Sequence, residues 1–146
     1  MAIESNFKEW MQHLESRYND AMSMIEHGMA SEVQRIVNDA KAHTPVNTGT
    51  LRNSIRAERA GRTTWYIGSH VPYAAAVEYG TKPHMPPSNA LQYWAKRKLG
   101  NEKLAYAVAR KIAQKGTPPH RMFRNAITAR APRIKQLIQY AMKKMR

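Results

Sequence analysis

The sequence predicts an α+β fold: a long N-terminal helix packed on a small antiparallel β-sheet, with additional C-terminal helices. Three observations predict it. Apolar residues recur at three- and four-residue steps through residues 6–43, the helical period. Thr64-Trp65-Tyr66-Ile67 follows a turn around Gly61 and is a β-branched and aromatic run of the kind that favours strands. Beyond residue 88, amphipathic runs alternate with glycine and proline stops, which reads as further helices.

Helix 6–43 carries Phe7, Trp10, Met11, Leu14, Tyr18, Ile25, Met29, Val33, Ile36, Val37 and Ala40 on one stripe. Such a stripe covers a sheet or a neighbouring subunit, and for its methionines ordinary core packing is expected over an adaptable binding face. Asn6 and Glu9 have capping-box spacing. Gly28 is an interior weak point where a bend is expected, at a cost of up to about 1 kcal/mol against alanine. Pro45 ends the helix, because it biases Thr44 out of the helical region. A hairpin follows, with strands over 54–59 and 64–69. Arg56, Arg59 and Arg62 lie along its first strand and turn. Trp65 reads as a sheet-packing residue.

Pro72 suits the first turn of a short helix over 73–79, with Tyr73, Ala74 and Val77 on one face. Gly80 ends it in the left-handed region. Residues 81–87 hold three prolines, which forbid a helix and leave an extended arm. Ser88 caps a helix that stops at Gly100. Asn101 caps another through Lys115, ended by Gly116. Pro118 and Pro119 make a second extended link. Residues 122–145 read as helical, and Pro132 is expected to kink or split that helix. Arg133, Lys135, Lys143, Lys144 and Arg146 are the polar companions of its apolar stripe.

A chain of 146 residues fits one domain. Its parts are the N-terminal helix at 1–43, a turn-rich core at 44–126 and a basic C-terminal helix at 127–146. No cysteine is present, so a disulfide framework is excluded and folding in a reducing compartment is expected. No secretory-signal pattern opens the chain, and no apolar run reaches membrane-span length. Net charge is +14, unevenly spread. Residues 1–40 hold three basic and seven acidic side chains, so they carry −4 and the remainder +18. The segment 103–146 holds twelve basic residues and no acid. That asymmetry points to nucleic acid, to acidic protein neighbours, or to a solvated basic surface. Arg130, Arg133, Lys135, Lys143 and Lys144 are the first candidates for DNA or partner contacts.

Three motif-like stretches stand apart. Residues 44–55 read T-P-V-N-T-G-T-L-R-N-S-I, residues 72–81 read P-Y-A-A-A-V-E-Y-G-T, and residues 116–126 read G-T-P-P-H-R-M-F-R-N-A. In order and spacing they resemble the neck or tail-completion family of tailed bacteriophages, the group that includes the lambda Z protein. The matching positions are Pro45, Thr48, Gly49, Leu51, Ser54, Ile55, Tyr73, Ala74, Glu78, Gly80, Thr81, Gly116, Phe123 and Ala126. Asn47 departs from the family's common aspartate, which keeps a hydrogen-bonding cap but removes a charge. The resemblance implies a structural virion protein in the neck, assembled in the host cytoplasm. It implies a ring of this chain with six copies, twelve being the alternative. The implied partners are head-closure or connector proteins and tail-terminator or tail-tube proteins, with genomic DNA passing through the channel. It implies no catalysis and no cofactor, and it leads us to expect strand pairing in one or both proline-flanked segments.

The residues themselves offer little catalytic chemistry. No phosphate-binding glycine loop, H-E-x-x-H or G-x-S-x-G occurs, motifs that carry phosphate, zinc or nucleophile chemistry. The six histidines are scattered, none at metal-binding helical spacing from another. Glu78 lacks an evident acid or histidine partner and is expected to form an ion pair or to accept a backbone hydrogen bond. A ring subunit is therefore the leading reading. A basic nucleic-acid-binding protein acting outside the virion is the alternative, and a hydrolase or nuclease is the weakest.

Overall fold

The helical period at the amino end runs further than the capping pattern suggests. In the computed structural model, which describes residues 2–145, helix α1 spans Ala2–His43. Asn6 and Glu9 are interior to it, so the expected capping pair does not form. Glu4 instead sits in the first turn, where a carboxylate complements the helix dipole. At the other end the buried Thr44 donates its hydroxyl to Ala40 O at 2.7 Å, and Pro45 prevents a further turn.

A short helix that the sequence did not announce follows, α2 at Thr50–Ser54. Strands β1 (Arg56–Arg59) and β2 (Trp65–Gly68) then pair antiparallel, Arg56 with Gly68 and Arg59 with Trp65. Next come α3 (Ala74–Tyr79), α4 (Ser88–Leu99), a 3-10 turn (Glu102–Leu104), α5 (Ala105–Lys115) and α6 (Met122–Lys144). Asn101 caps the 3-10 turn by accepting from Lys103 N at 2.9 Å. Helix α4 begins at Ser88, preceded by extended Pro87. The Ser88 side chain and Arg146 lie outside the described residues, so neither expectation is met or refused. Helix α6 continues through Pro132, so the expected split does not occur. Pro132 and Thr128 are both exposed, so water can satisfy the Thr128 carbonyl that loses its donor.

The core is built from small and medium side chains. Ile36, Val37 and Ala40 of α1 meet Leu51, Ile55, Val71, Ala74, Met122 and Ala126. The hairpin joins through Ala57 and Ile67, so α1 does lie on the sheet, but its principal partner is α6. The two helices run antiparallel: Asp39 meets Arg130, Gly28 faces Leu137, and Arg17 bonds the Lys144 carbonyl at 3.2 Å. A Cβ on Gly28 would overlap the Leu137 side chain. Gly28 therefore serves close helix packing.

Candidate functional site

The three motifs of the sequence converge on one another. In the first, Gly49 has φ +86 and ψ −9, the left-handed region, and precedes α2. Its carbonyl accepts from Asn53 N at 2.9 Å. Thr48 and Thr50 share a hydroxyl contact at 2.9 Å. Leu51 and Ile55 point into the core, at 4% and 1% exposure. Buried Ser54 donates to Leu51 O at 2.7 Å, and its oxygen lies 2.6 Å from Ser69 Oγ. Ser69 Oγ in turn accepts from Val71 N at 3.1 Å. This relay ties both ends of the hairpin to the helix before it. The cap expected from Asn47 is not made: its Oδ1 is buried and accepts no hydrogen bond among the described residues.

The second and third motifs lock together. Glu78 is 4% exposed. Its carboxylate accepts from Phe123 N at 2.9 Å and Arg124 N at 3.0 Å. These are two of the free N–H groups at the start of α6, where a negative charge also complements the dipole. The expectation of a backbone hydrogen bond for Glu78 is met. The backbone is sewn alongside it: His120 N donates to Val77 O at 2.9 Å and Arg121 N to Glu78 O at 3.1 Å. Arg121 is held at φ +55.

Gly80-Thr81 and Gly116-Thr117 form an antiparallel bridge. Thr81 N donates to Thr117 O at 3.1 Å, Thr117 N to Thr81 O at 3.3 Å, and the hydroxyls lie 2.9 Å apart. Strand pairing, expected in one or both proline-flanked segments, occurs in both as a bridge of one residue on each side, Thr81 with Thr117. A Cβ on Gly80 would collide with Thr117 O, and one on Gly116 with Thr81 O. Gly80 has φ +74 with ψ −177. It is therefore not the left-handed helix end expected but an extended conformation open only to glycine. The reason is the bridge, which requires the chain to leave α3 straight. Ala74 and Ala126 are buried, Phe123 packs on the core, and Tyr73 is half exposed.

A family model described as "Bacteriophage HK97-gp10, putative tail-component" matches residues 8–80. The chain belongs to this HK97-gp10-like family of phage tail components. The match spans α1, the Gly49 turn, the hairpin and α3, and ends at Gly80. The Gly116–Ala126 motif lies beyond it, yet is bonded directly to Val77 and Glu78 within it. No curated protein and no solved structure matches the chain.

The surface of this tail component divides by charge. Arg130, a candidate for outside contacts, is accounted for within the chain. It donates to Asp39 Oδ2 at 2.8 Å. That hydrogen bond holds the Asp39 carboxyl below its ordinary value and raises the arginine. Arg59 and Arg62 both clamp Glu26, Arg62 at 3.1 Å, and Arg59 also lies over the Trp65 ring at 5.7 Å. Sequence reasoning left these arginines without a partner. Arg133, Lys135, Lys143 and Lys144 are exposed and have no carboxylate partner among the described residues. Lys144 lies over the Tyr140 ring at 5.5 Å.

The apolar stripe of α1 is covered only in part. Phe7, Trp10, Met11, Leu14 and Tyr18 do not pack in a core; they are 61, 58, 36, 41 and 48% exposed. The cause is length. At about 1.5 Å per residue α1 spans about 63 Å and α6 about 35 Å, so α6 ends beside Arg17 and the first turns of α1 stand alone. A second feature went unseen in the sequence. Val77, Trp94, Val108 and Ile112, with Lys111 and Lys115, line a groove of about 900 Å³ under α4 and α5. No cluster of metal-ligating side chains is present among the described residues, and none of their helices is long and apolar enough to cross a membrane.

Proposed function

We propose that this tail component is a ring subunit of the phage neck that joins the filled head to the tail and lets DNA pass. The ring holds six copies, twelve being the alternative suggested by resemblance. Its axial partners are a head-closure or connector protein on one side and a tail-terminator or tail-tube protein on the other. Its place is the virion, after assembly in the host cytoplasm. The observation that carries the reading is how the motif residues are used. Ser54, Glu78, Gly80, Thr81 and Gly116 are engaged in holding helices, hairpin and links together. What the fold turns outward is a bare apolar stripe and a basic tail, which are surfaces for assembly.

The mechanism of such a subunit is geometric. Each copy presents one surface to a neighbour and a different one to the next, as ring closure requires. Basic side chains facing the channel contact phosphates without reading bases. Electron microscopy of the virion with labelled protein tests the reading: density as a ring at the head–tail junction is expected. Absence from the particle, or one isolated copy in it, overturns it. The unpaired basic residues of α6 favour one competing reading, a nucleic-acid-binding protein outside the virion. That reading requires strong DNA binding by a monomer or dimer, falling steeply with salt. Weak binding together with a ring favours the neck.

A further inference from the structure

We propose that the bare amino-terminal arm of α1, residues 2–18, docks in the α4–α5 groove of the next copy. This inference rests on the ring reading above and names the contact that closes it. The arm carries an apolar stripe, Phe7, Trp10, Leu14 and Tyr18, that stays exposed among the described residues. Phe7 and Trp10 stack at its tip, with ring centroids 6.1 Å apart. α1 is one continuous helix through His43, so the arm cannot fold back onto its own groove. The groove is walled by Val77, Trp94, Val108 and Ile112, and its volume of about 900 Å³ is in the range that buries a sizeable apolar ligand.

Charge selects the occupant. Between residues 4 and 20 the arm holds Glu4, Glu9, Glu15 and Asp20 against Lys8 and Arg17. The groove's lining carries Lys111 and Lys115 and no acid, and the surrounding segment 88–115 holds seven basic side chains against one acid, Glu102. An acidic apolar helix therefore meets a basic apolar groove. Two arms packed on each other would instead juxtapose like charge, which disfavours a two-fold pairing. Arm and groove are different patches of one chain. The contact is heterologous, so it repeats head to tail and gives a ring where the rotation between copies closes.

The test uses the full chain and two charge-reversed variants. One carries Glu9→Lys with Glu15→Lys; the other carries Lys111→Glu with Lys115→Glu. By native mass spectrometry each alone is expected to associate at least tenfold more weakly than wild type. Mixed one to one, they are expected to regain the wild-type mass with alternating copies, since each arm then meets a groove of opposite sign. The chain has no cysteine, so Met11→Cys and Lys111→Cys proteins, mixed and oxidised, are expected to form the mixed disulfide. A mixture that stays dissociated, or a Met11→Cys homodimer in place of the mixed product, overturns the docking. A wild-type ring that persists alongside those results leaves the ring reading standing without it. A wild-type chain found as a single copy in the particle removes the ring reading, and the docking with it.

Discussion

Glu78 is the residue whose removal the structure allows to be costed. Its carboxylate receives two backbone N–H groups at the buried start of α6. Glu78→Ala leaves both donors without a partner. Hydrogen bonds to a charged group contribute roughly 1.5–3 kcal/mol each, and an orphaned buried donor costs roughly 1–3 kcal/mol. Because the two donors are adjacent and a water molecule can reach part of the vacated space, the sum is capped at about 3–5 kcal/mol. Glu78→Gln keeps one acceptor oxygen and loses the charge, so about 1–2 kcal/mol is expected. For a chain of this length 1 kcal/mol moves the melting temperature by roughly 3–4 °C. Glu78→Ala should therefore melt about 10–15 °C lower, and Glu78→Gln about 3–7 °C lower. Glu102→Gln, at an exposed site, serves as the control and should move it by no more than about 2 °C. Thermal melts followed by circular dichroism decide it. A Glu78→Ala protein melting with the control would refute the claim that this carboxylate holds α6 to α3.

Four further outcomes are expected. Gly49→Val should destabilise more than Asn53→Ala, through left-handed backbone strain of about 1–2 kcal/mol, and Gly116→Ala should cost more than Gly100→Ala. Gly116 would drive a Cβ onto Thr81 O, whereas Gly100, also at positive φ, opens on empty space; equal melting temperatures within either pair would contradict this. Asp39 titrates below its ordinary value of 3.8 because Arg130 bonds its charged form, so its contribution is present above that value and is lost as pH falls through the lower folded-state pKa. Urea midpoints of wild type and Asp39→Asn should differ at about pH 7 and converge at strongly acid pH; a constant gap would show that the pair does not act through charge. Changing Arg133, Lys135, Lys143 and Lys144 together to glutamine should leave the fold intact and reduce head–tail joining in vitro. The loss should mimic added salt, since exposed contacts are screened over about 8–10 Å; full joining at all salt concentrations would show a merely solvated surface.

Local rules were legible where one residue type decides the backbone. Gly100 ends α4 at φ +73 and Pro45 ends α1, as read from the sequence. The backbone bond of Glu78 was also foreseeable, from the lack of any partner acid. Long-range pairing was not. Nothing in Gly80-Thr81 announces Gly116-Thr117 as its mate, and the ψ of Gly80 follows from that mate. Arg130 finds Asp39 across 91 residues of sequence separation, invisible to any local pattern. Helix α2 is five residues long, shorter than periodicity can register. The stripe of α1 misled for a related reason. Phe7–Tyr18 and Val33–Ala40 have the same spacing, and only the length of α6 decides which half is covered.

That unequal coverage bears on how the chain is stabilised. Among the described residues the largest fully buried side chains are Ile55 and Met122; much of the remaining core is alanine. Such a core gains little from each side chain it buries, because hydrophobic stabilisation scales with apolar area, about 25 cal/mol per Å². Two of the largest apolar side chains, Trp10 and Phe7, stand outside it. An interaction that binds only the folded form adds its free energy to folding. A partner that covers the arm therefore supplies apolar burial that the monomer lacks, and it does so only when the arm is a formed helix with Phe7, Trp10, Leu14 and Tyr18 on one side. An isolated helix of this length is marginal in water, but the arm is the continuation of a helix already fixed by α6. Its nucleation is provided by the folded domain, so the arm can reach a partner preformed. The proposed docking thus divides the long amino-terminal helix near Arg17, with core packing on one side and a preformed surface for a partner on the other.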